Sequence, residues 1–218
     1  MEKFNRSAVK VILFDVYGTL VTISNKRAPF RQLIKIGAGQ GRMPNSKDAE
    51  ILMGQPIGLL EAGELLGIAL TDDEREQLKQ ELVVELESIL PFVDTLPALY
   101  DLKNRGYKLG LCSNLAKEYA EPVLSVLPPV FDAYVWSFDA GAIKPNPAIY
   151  AHACRQLRCL PCDVLMVGDT LEADVEGPRA FGMQALLLDR KQRSSSKNSL
   201  SSLLRLCEIV ERVIEIAP

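Results

Sequence analysis

The first apolar run of the chain, Val11-Ile12-Leu13-Phe14, is unbroken and leads straight into an acid, Asp15. A continuous run of this length, rather than an alternating one, fits a strand covered on both faces, as in a parallel sheet. Asp15 is costly to bury without partners, so it is either paired or placed at an open sheet edge. Gly18, in Tyr17-Gly18-Thr19, implies a sharp turn or a backbone lying close to a ligand. Taken alone, the stretch reads equally well as a strand followed by an Asp-containing turn.

From residue 21 to residue 90 the pattern is helical. Residues 26–36, 46–53 and 57–66 read as short helices, with a Gly-rich loop over 37–44. Thr71-Asp72-Asp73-Glu74 is a capping box. It opens a helix to about residue 90 that carries Leu78, Leu82, Val83, Leu86 and Leu90 on one face and stops at Pro91. No strand is expected in this block. Beyond Pro91 strands and helices alternate. Strands are predicted over 108–112, 133–136, 164–167 and 184–188. Helices are predicted over 95–105, 116–127, 147–157, 171–181 (with Gly182 as C-cap) and 200–216, and 191–198 is a Ser-rich loop.

Alternating units imply a parallel sheet with helices on both faces, joined by right-handed crossovers. The expected fold class is α/β: a doubly wound parallel sheet from residues 1–20 and 91–218. The helical subdomain, 21–90, is inserted after the first strand and lies over the C-terminal edge of the sheet, above Asp15.

Composition narrows the function. The chain has 218 residues, 48% hydrophobic and 24% charged, with a net charge of −3. That is ordinary for a globular protein and argues against non-specific nucleic-acid binding, which needs a basic surface. No apolar run approaches the ~20 residues that cross a bilayer, and no signal-peptide pattern opens the chain. The expectation is a cytoplasmic protein with no membrane contact; nothing in the sequence bears on oligomeric state. The five cysteines, Cys112, Cys154, Cys159, Cys162 and Cys207, are an odd number and do not suggest a disulfide framework. Cys159 and Cys162 form a C-x-x-C near His152 and Cys154, but His152 and Cys154, two apart on one helix, point in different directions. A helix-to-strand loop with incidental thiols is preferred to a zinc site.

In doubly wound sheets, ligands bind outside the carboxyl ends of the strands. Four predicted strands deliver polar residues there: Asp15; Ser113-Asn114; the segment with Lys144; and Asp169, with Asp174 five residues on. Singly, Ser113 reads as an N-cap, Lys144 as a solvated loop lysine and Asp174 as a first-turn charge. Their order on consecutive strand ends selects a site. Asp15 and Asp169 would repel unless a cation lay between them, and hard carboxylate oxygens with a nearby backbone carbonyl suit Mg²⁺. Ser113 can hydrogen-bond an anionic oxygen, Asn114 can orient a ligand and Lys144 adds positive charge. The set fits a phosphoryl group, with Asp15 free to act as nucleophile.

These residues resemble the haloacid dehalogenase-like (HAD) hydrolase superfamily. Asp15-Val16-Tyr17-Gly18-Thr19-Leu20 is similar to its first motif, Ser113 to the second, Lys144 to the third and Gly168-Asp169 through Asp174 to the fourth, and the helical insertion looks like its C1 cap. The resemblance implies a Rossmann-like core with Asp15, Ser113 and Lys144 catalytic. It further implies Tyr17, Gly18, Thr19 and Asn114 against the substrate, and Mg²⁺ held by Asp15, Tyr17, Asp169 and Asp174. One position departs from the phosphatase pattern. The second Asp that most phosphatases of the family carry as general acid is Tyr17 here, as in the 2-haloacid dehalogenase branch, which Tyr150 also fits. The fourth motif, by contrast, keeps the phosphatase acids. Three functions are in play. The expected one is Mg²⁺-dependent hydrolysis of a phosphorylated small molecule, because Asp169 facing Asp15 makes sense mainly with a cation. The others are a metal-independent dehalogenase, for which Arg27, Arg31 and Arg42 are candidate carboxylate ligands although a solvated helix face is the preferred reading of each, and a non-catalytic relative that binds a phospho-ligand or a protein.

Overall fold

The computed structural model describes residues 9–45, 47–191 and 199–215. Strand β1 (Val11–Phe14) leads through Asp15 to a short β2 (Val21–Ile23). Helices α1 (Pro29–Gly39), α2 (Lys47–Gly54), α3 (Leu59–Leu65) and α4 (Asp72–Glu87) follow before the chain returns on β3 (Ile89–Pro91). Next come α5 (Thr95–Asn104), β4 (Lys108–Ser113), a 3₁₀ turn (Lys117–Tyr119) running into α6 (Ala120–Val126), β5 (Ala133–Trp136), a one-turn α7 (Ser137–Ala140) and α8 (Pro147–Leu157). The chain ends with β6 (Val164–Gly168), a π-helical turn (Leu171–Glu176) into α9 (Gly177–Phe181), β7 (Gln184–Leu188), β8 (Ser199–Leu200) and α10 (Leu206–Glu215).

The main sheet has the order β5-β4-β1-β6-β7-β8 with every neighbouring pair parallel. Its unbroken apolar run is explained by two cores. Ile12 and Phe14 face a cluster with Leu99, Leu102, Val123 and Leu203. Val11 and Leu13 face the other side, with Ile149, Tyr150, Ala153 and Met166. All four β1 side chains are at most 1% exposed. Each large aliphatic or aromatic side chain buried this way contributes roughly 1.5–3 kcal/mol. Helices α1–α4 have a separate apolar cluster, centred on Leu33, Leu59, Ala62, Leu78 and Leu82.

The structure departs from the sequence-based expectation in several elements. The block from 21 to 90 does contain strands: β2 and β3 pair antiparallel, with Val21 opposite Pro91 and Ile23 opposite Ile89. Helix α4 therefore ends at Glu87, and Leu90, in β3, and Val83 are about half exposed instead of lying on its buried stripe. The capping box at Thr71 is present, with Thr71 Oγ1 accepting from the Glu74 N–H (3.2 Å) and Glu74 Oε2 from the Thr71 N–H (2.9 Å). Helix α1 begins at Pro29, not residue 26, because Ala28 is left-handed (φ 55°) and Pro29 occupies the first turn; it also runs into the predicted Gly-rich loop. The helices predicted over 116–127 and 171–181 each open with a non-α turn. The last helix starts at Leu206, after the unpredicted β8. Residues 192–198 of the predicted Ser-rich loop, residue 46 and residue 216 lie outside the described residues.

Candidate active site

Sheet register brings the strand ends together. Phe14 stands level with Leu111 on β4 and Val167 on β6. Ser113 and Asp169, each two residues further along, therefore flank Asp15 at one edge. The Asp15 N–H donates to Val167 O (2.9 Å). Asp15 Oδ1 accepts from Ser113 Oγ and from Lys144 Nζ, both at 2.9 Å. Its Oδ2 accepts one long hydrogen bond among the described residues, from Thr19 Oγ1 at 3.4 Å. Lys144 Nζ also donates to Asp174 Oδ1 (2.5 Å). The second Asp174 oxygen accepts the Thr170 N–H (3.0 Å), which bends Asp174 back toward the sheet.

The electrostatics follow from this crowding. Burial alone would lower the Lys144 pKa, but Asp15 and Asp174 outweigh it and hold the pKa above its ordinary value. Asp174 is pushed up to about 6, chiefly by burial, with Lys144 opposing and Asp15 reinforcing the shift. Asp169 is raised by desolvation and then by the Asp15 charge. The carboxylates of Asp15, Asp169 and Asp174 each place an oxygen within 4.8 Å of the others. Hard oxygen donors in that number, repelling one another, fit a divalent cation such as Mg²⁺.

Two glycines make room for this cluster. Gly18 has φ +90°, and a Cβ there would lie 2.3 Å from Asp169 Oδ2. A Cβ on Gly168 would lie 2.3 Å from Asp174 Cγ. The first turn and the end of β6 can therefore approach the acids only without side chains.

Tyr17 and Asn114 are placed differently from the other candidates. The Tyr17 hydroxyl donates to Tyr119 O (2.9 Å), and its ring meets the Tyr119 ring edge-on at 5.6 Å. Burial, then Glu85, raises its pKa, so the phenol keeps its proton. The Asn114 side-chain amide spans the Lys144 main chain, donating to its O (2.9 Å) and accepting its N–H (2.7 Å). It holds the lysine in place. Tyr150 is likewise engaged, its hydroxyl donating to Ala173 O (2.7 Å). Arg42 is paired with Asp48 (2.9 and 2.5 Å), Arg27 stands 3.5 Å from Glu81, and Arg31 is exposed. His152 lies beside Gln156 on α8. Among the described residues no disulfide forms, and the acidic trio alone forms a metal-ligand grouping.

Sequence reasoning missed two supporting networks. Glu85, 3% exposed on α4, accepts the Tyr119 hydroxyl (2.7 Å) and the N–H groups of Arg27 and Ala28, capping α1 from another helix. Arg190, just past β7, donates to Thr19 O and grips Asp94 with both terminal nitrogens. The strand-end logic that picked out Asp15, Ser113 and Asp169 applies to β7 too, and would have led to Arg190.

A strand ending in Asp15, a lysine bridging two acids and a carboxylate cluster that could hold a metal meet at one sheet edge. The chain belongs to the haloacid dehalogenase-like hydrolase family, which it matches over residues 9–182. Within that family it is similar to both chemistries. It is 32% identical to the glyceraldehyde 3-phosphate phosphatase of Methanothermobacter thermautotrophicus over 117 residues, which cover 53% of this chain and 52% of that protein. It is 27% identical to (S)-2-haloacid dehalogenase 4A of Burkholderia cepacia, covering 84% of each. A HAD phosphatase from Thermococcus onnurineus superimposes with a TM-score of 0.64 at 26% identity, covering 93% of this chain and 98% of that one. Among the described residues no helix is long and apolar enough to cross a membrane.

Proposed function

We propose that the chain hydrolyses phosphorylated small molecules in the presence of Mg²⁺, with Asp15 as the nucleophile. The observation that carries this reading is the convergence of Asp15, Asp169 and Asp174 within 4.8 Å. Asp174 is engaged by Lys144, but without a cation Asp169 would only repel Asp15. Asp15, Asp169 and Asp174, with the Tyr17 main-chain carbonyl, would hold the ion, and when bound it neutralises charge on the phosphoryl oxygens.

The protein's own groups do the rest. Ser113 and Lys144 hold Asp15 Oδ1, which leaves Oδ2 the less engaged oxygen and the one that attacks phosphorus. The bond from phosphorus to the leaving oxygen breaks, and its electron pair departs with the leaving group. Water then attacks phosphorus in the aspartyl-phosphate, releasing phosphate and restoring the carboxylate. The helical block from 21 to 90, over the sheet edge, would choose the substrate.

Residue 17 offers no acid–base help, because the Tyr17 proton is committed to Tyr119 O. General acid catalysis is worth about 10²–10⁴ in rate. Substrates with good leaving groups, acyl and aryl phosphates, are therefore favoured over alkyl phosphates. The test is a panel of phosphate esters run with and without Mg²⁺. Turnover that survives EDTA, or that survives Asp15→Asn, sinks the reading.

A second reading is supported by Tyr17 and by the similarity to the Burkholderia cepacia dehalogenase: displacement of halide from a 2-haloacid by Asp15. The engagement of Arg42 with Asp48 and of Arg27 with Glu81 weighs against it, since both are candidate carboxylate ligands. Halide release from 2-chloropropionate, unaffected by chelator, would replace the first reading with the second.

A further inference from the structure

We infer that Arg190 is a positioning residue that sets the attacking oxygen of Asp15 through Thr19; the kinetic part of the inference rests on the proposed phosphohydrolase. The Arg190 guanidinium is held on three sides. Nη1 and Nη2 bond Asp94 Oδ2 and Oδ1 at 3.0 and 2.9 Å. Its central carbon sits 3.9 Å over the Phe92 ring. Nε and Nη2 donate to Thr19 O at 3.3 and 2.6 Å. Asp94 is anchored in turn by Ser202 Oγ (2.7 Å) and the Leu203 N–H (2.8 Å).

Thr19 is fully buried, so its peptide has no water to bond in place of Arg190. Among the described residues its hydroxyl, at 3.4 Å, gives Asp15 Oδ2 its one side-chain hydrogen bond. Asp15 Oδ1 is fixed directly by Ser113 and Lys144, whereas Oδ2 is fixed at one remove. The turn after Asp15 is anchored beyond Thr19 by Leu20 O, which accepts from Thr95 Oγ1 (2.7 Å) and the Phe92 N–H (3.0 Å). The Thr19 and Leu20 N–H groups donate to Val16 O (3.3 and 2.8 Å), and Arg190 adds the bonds that hold the Thr19 carbonyl. A forked guanidinium can serve Asp94 and Thr19 O together, whereas a lysine ammonium keeps the charge but not that planar geometry.

The test uses Arg190→Lys and Arg190→Gln in the full chain. Compared with a wild-type crystal structure, those of the variants should show the Thr19 hydroxyl withdrawn from Asp15 Oδ2; a retained contact in the variants overturns the proposal. With p-nitrophenyl phosphate and Mg²⁺, kcat should fall by about 10²-fold, the penalty of a small misplacement at a reacting group, while KM stays within about two-fold. Arg190→Lys should keep most of the thermal stability through its charge on Asp94 and still lose kcat. An unchanged kcat per folded molecule in that variant, or a change confined to KM or to melting temperature, overturns the proposal. Absence of any wild-type turnover would count against the phosphohydrolase reading, and the crystallographic comparison would still decide the role of Arg190.

Discussion

Replacing Lys144 by Met tests the electrostatic centre of the site without opening a cavity, because Met approximates the length of the lysine stem. Lys144 is 4% exposed and its ammonium touches Asp15 and Asp174, the latter only 1% exposed. Removing one member of a buried ion pair leaves an uncompensated charge and costs about 3–5 kcal/mol. Here two carboxylates lose their shared partner, so the loss should reach the upper part of that range. For a protein of this size, a destabilisation of about 3–5 kcal/mol corresponds to roughly 6–20 °C in melting temperature. Urea unfolding followed by circular dichroism, with EDTA present so that no cation substitutes for the ammonium, gives the number. The double variant with Asp174→Asn should be less damaged than the sum of the singles, by about 1–3 kcal/mol of coupling. A loss below about 1 kcal/mol, the scale of an exposed pair, would refute the view that Lys144 is the charge balancing these acids.

Gly18→Ala should leave the protein folded but displace Asp169, since its Cβ would sit 2.3 Å from that carboxylate; a several-fold weaker apparent Mg²⁺ affinity in the activity assay is expected, and unchanged Mg²⁺ dependence would contradict the packing. Tyr17→Asp should raise turnover of alkyl phosphates relative to aryl phosphates, and no gain would mean that another group already protonates the leaving oxygen. Burial would raise the Asp94 pKa, but Arg190, Ser202 and the Leu203 N–H more than offset it and hold it below the usual carboxylate value. A depressed folded pKa stabilises the protein above the unfolded value of ~3.9 and stops doing so as pH falls through the folded pKa. The stability gap between wild type and Asp94→Asn should therefore be full at pH 7 and shrink in acid; a gap independent of pH would rule this out.

The main sheet was legible because each of its longer strands is an uninterrupted apolar run ending in a polar residue, a pattern that two-sided burial enforces. The β2–β3 ribbon was not, because three residues are too few to show a period. Ile89-Leu90 also continued the spacing of the α4 leucines, and only pairing with Val21–Ile23 turns that segment into a strand. At the site, Asp15, Ser113, Lys144 and Asp174 come together by direct hydrogen bonds, as strand-end placement suggested. The task of Asn114 was not readable. A side-chain amide beside a helix start looks like a ligand contact, and only tertiary structure reveals that it braces the Lys144 main chain from thirty residues away. Arg190 is a different case: the end of β7 marks its position, but its partners Thr19 and Asp94 are remote in sequence, so its task could not be read.

The β2–β3 ribbon has a consequence for how such a protein can change over time. Because Val21 and Pro91 are paired, the chain leaves and re-enters the sheet domain at adjacent points. To the sheet, everything between them is equivalent to the tip of a hairpin. Loop-closure entropy grows only slowly with length, by about 0.6 kcal/mol per doubling, so helices could be added, removed or exchanged there at little cost to the rest of the fold. Inheritance can then treat the two parts as separate modules, one rewritten freely while the bond-breaking end of the sheet is left alone.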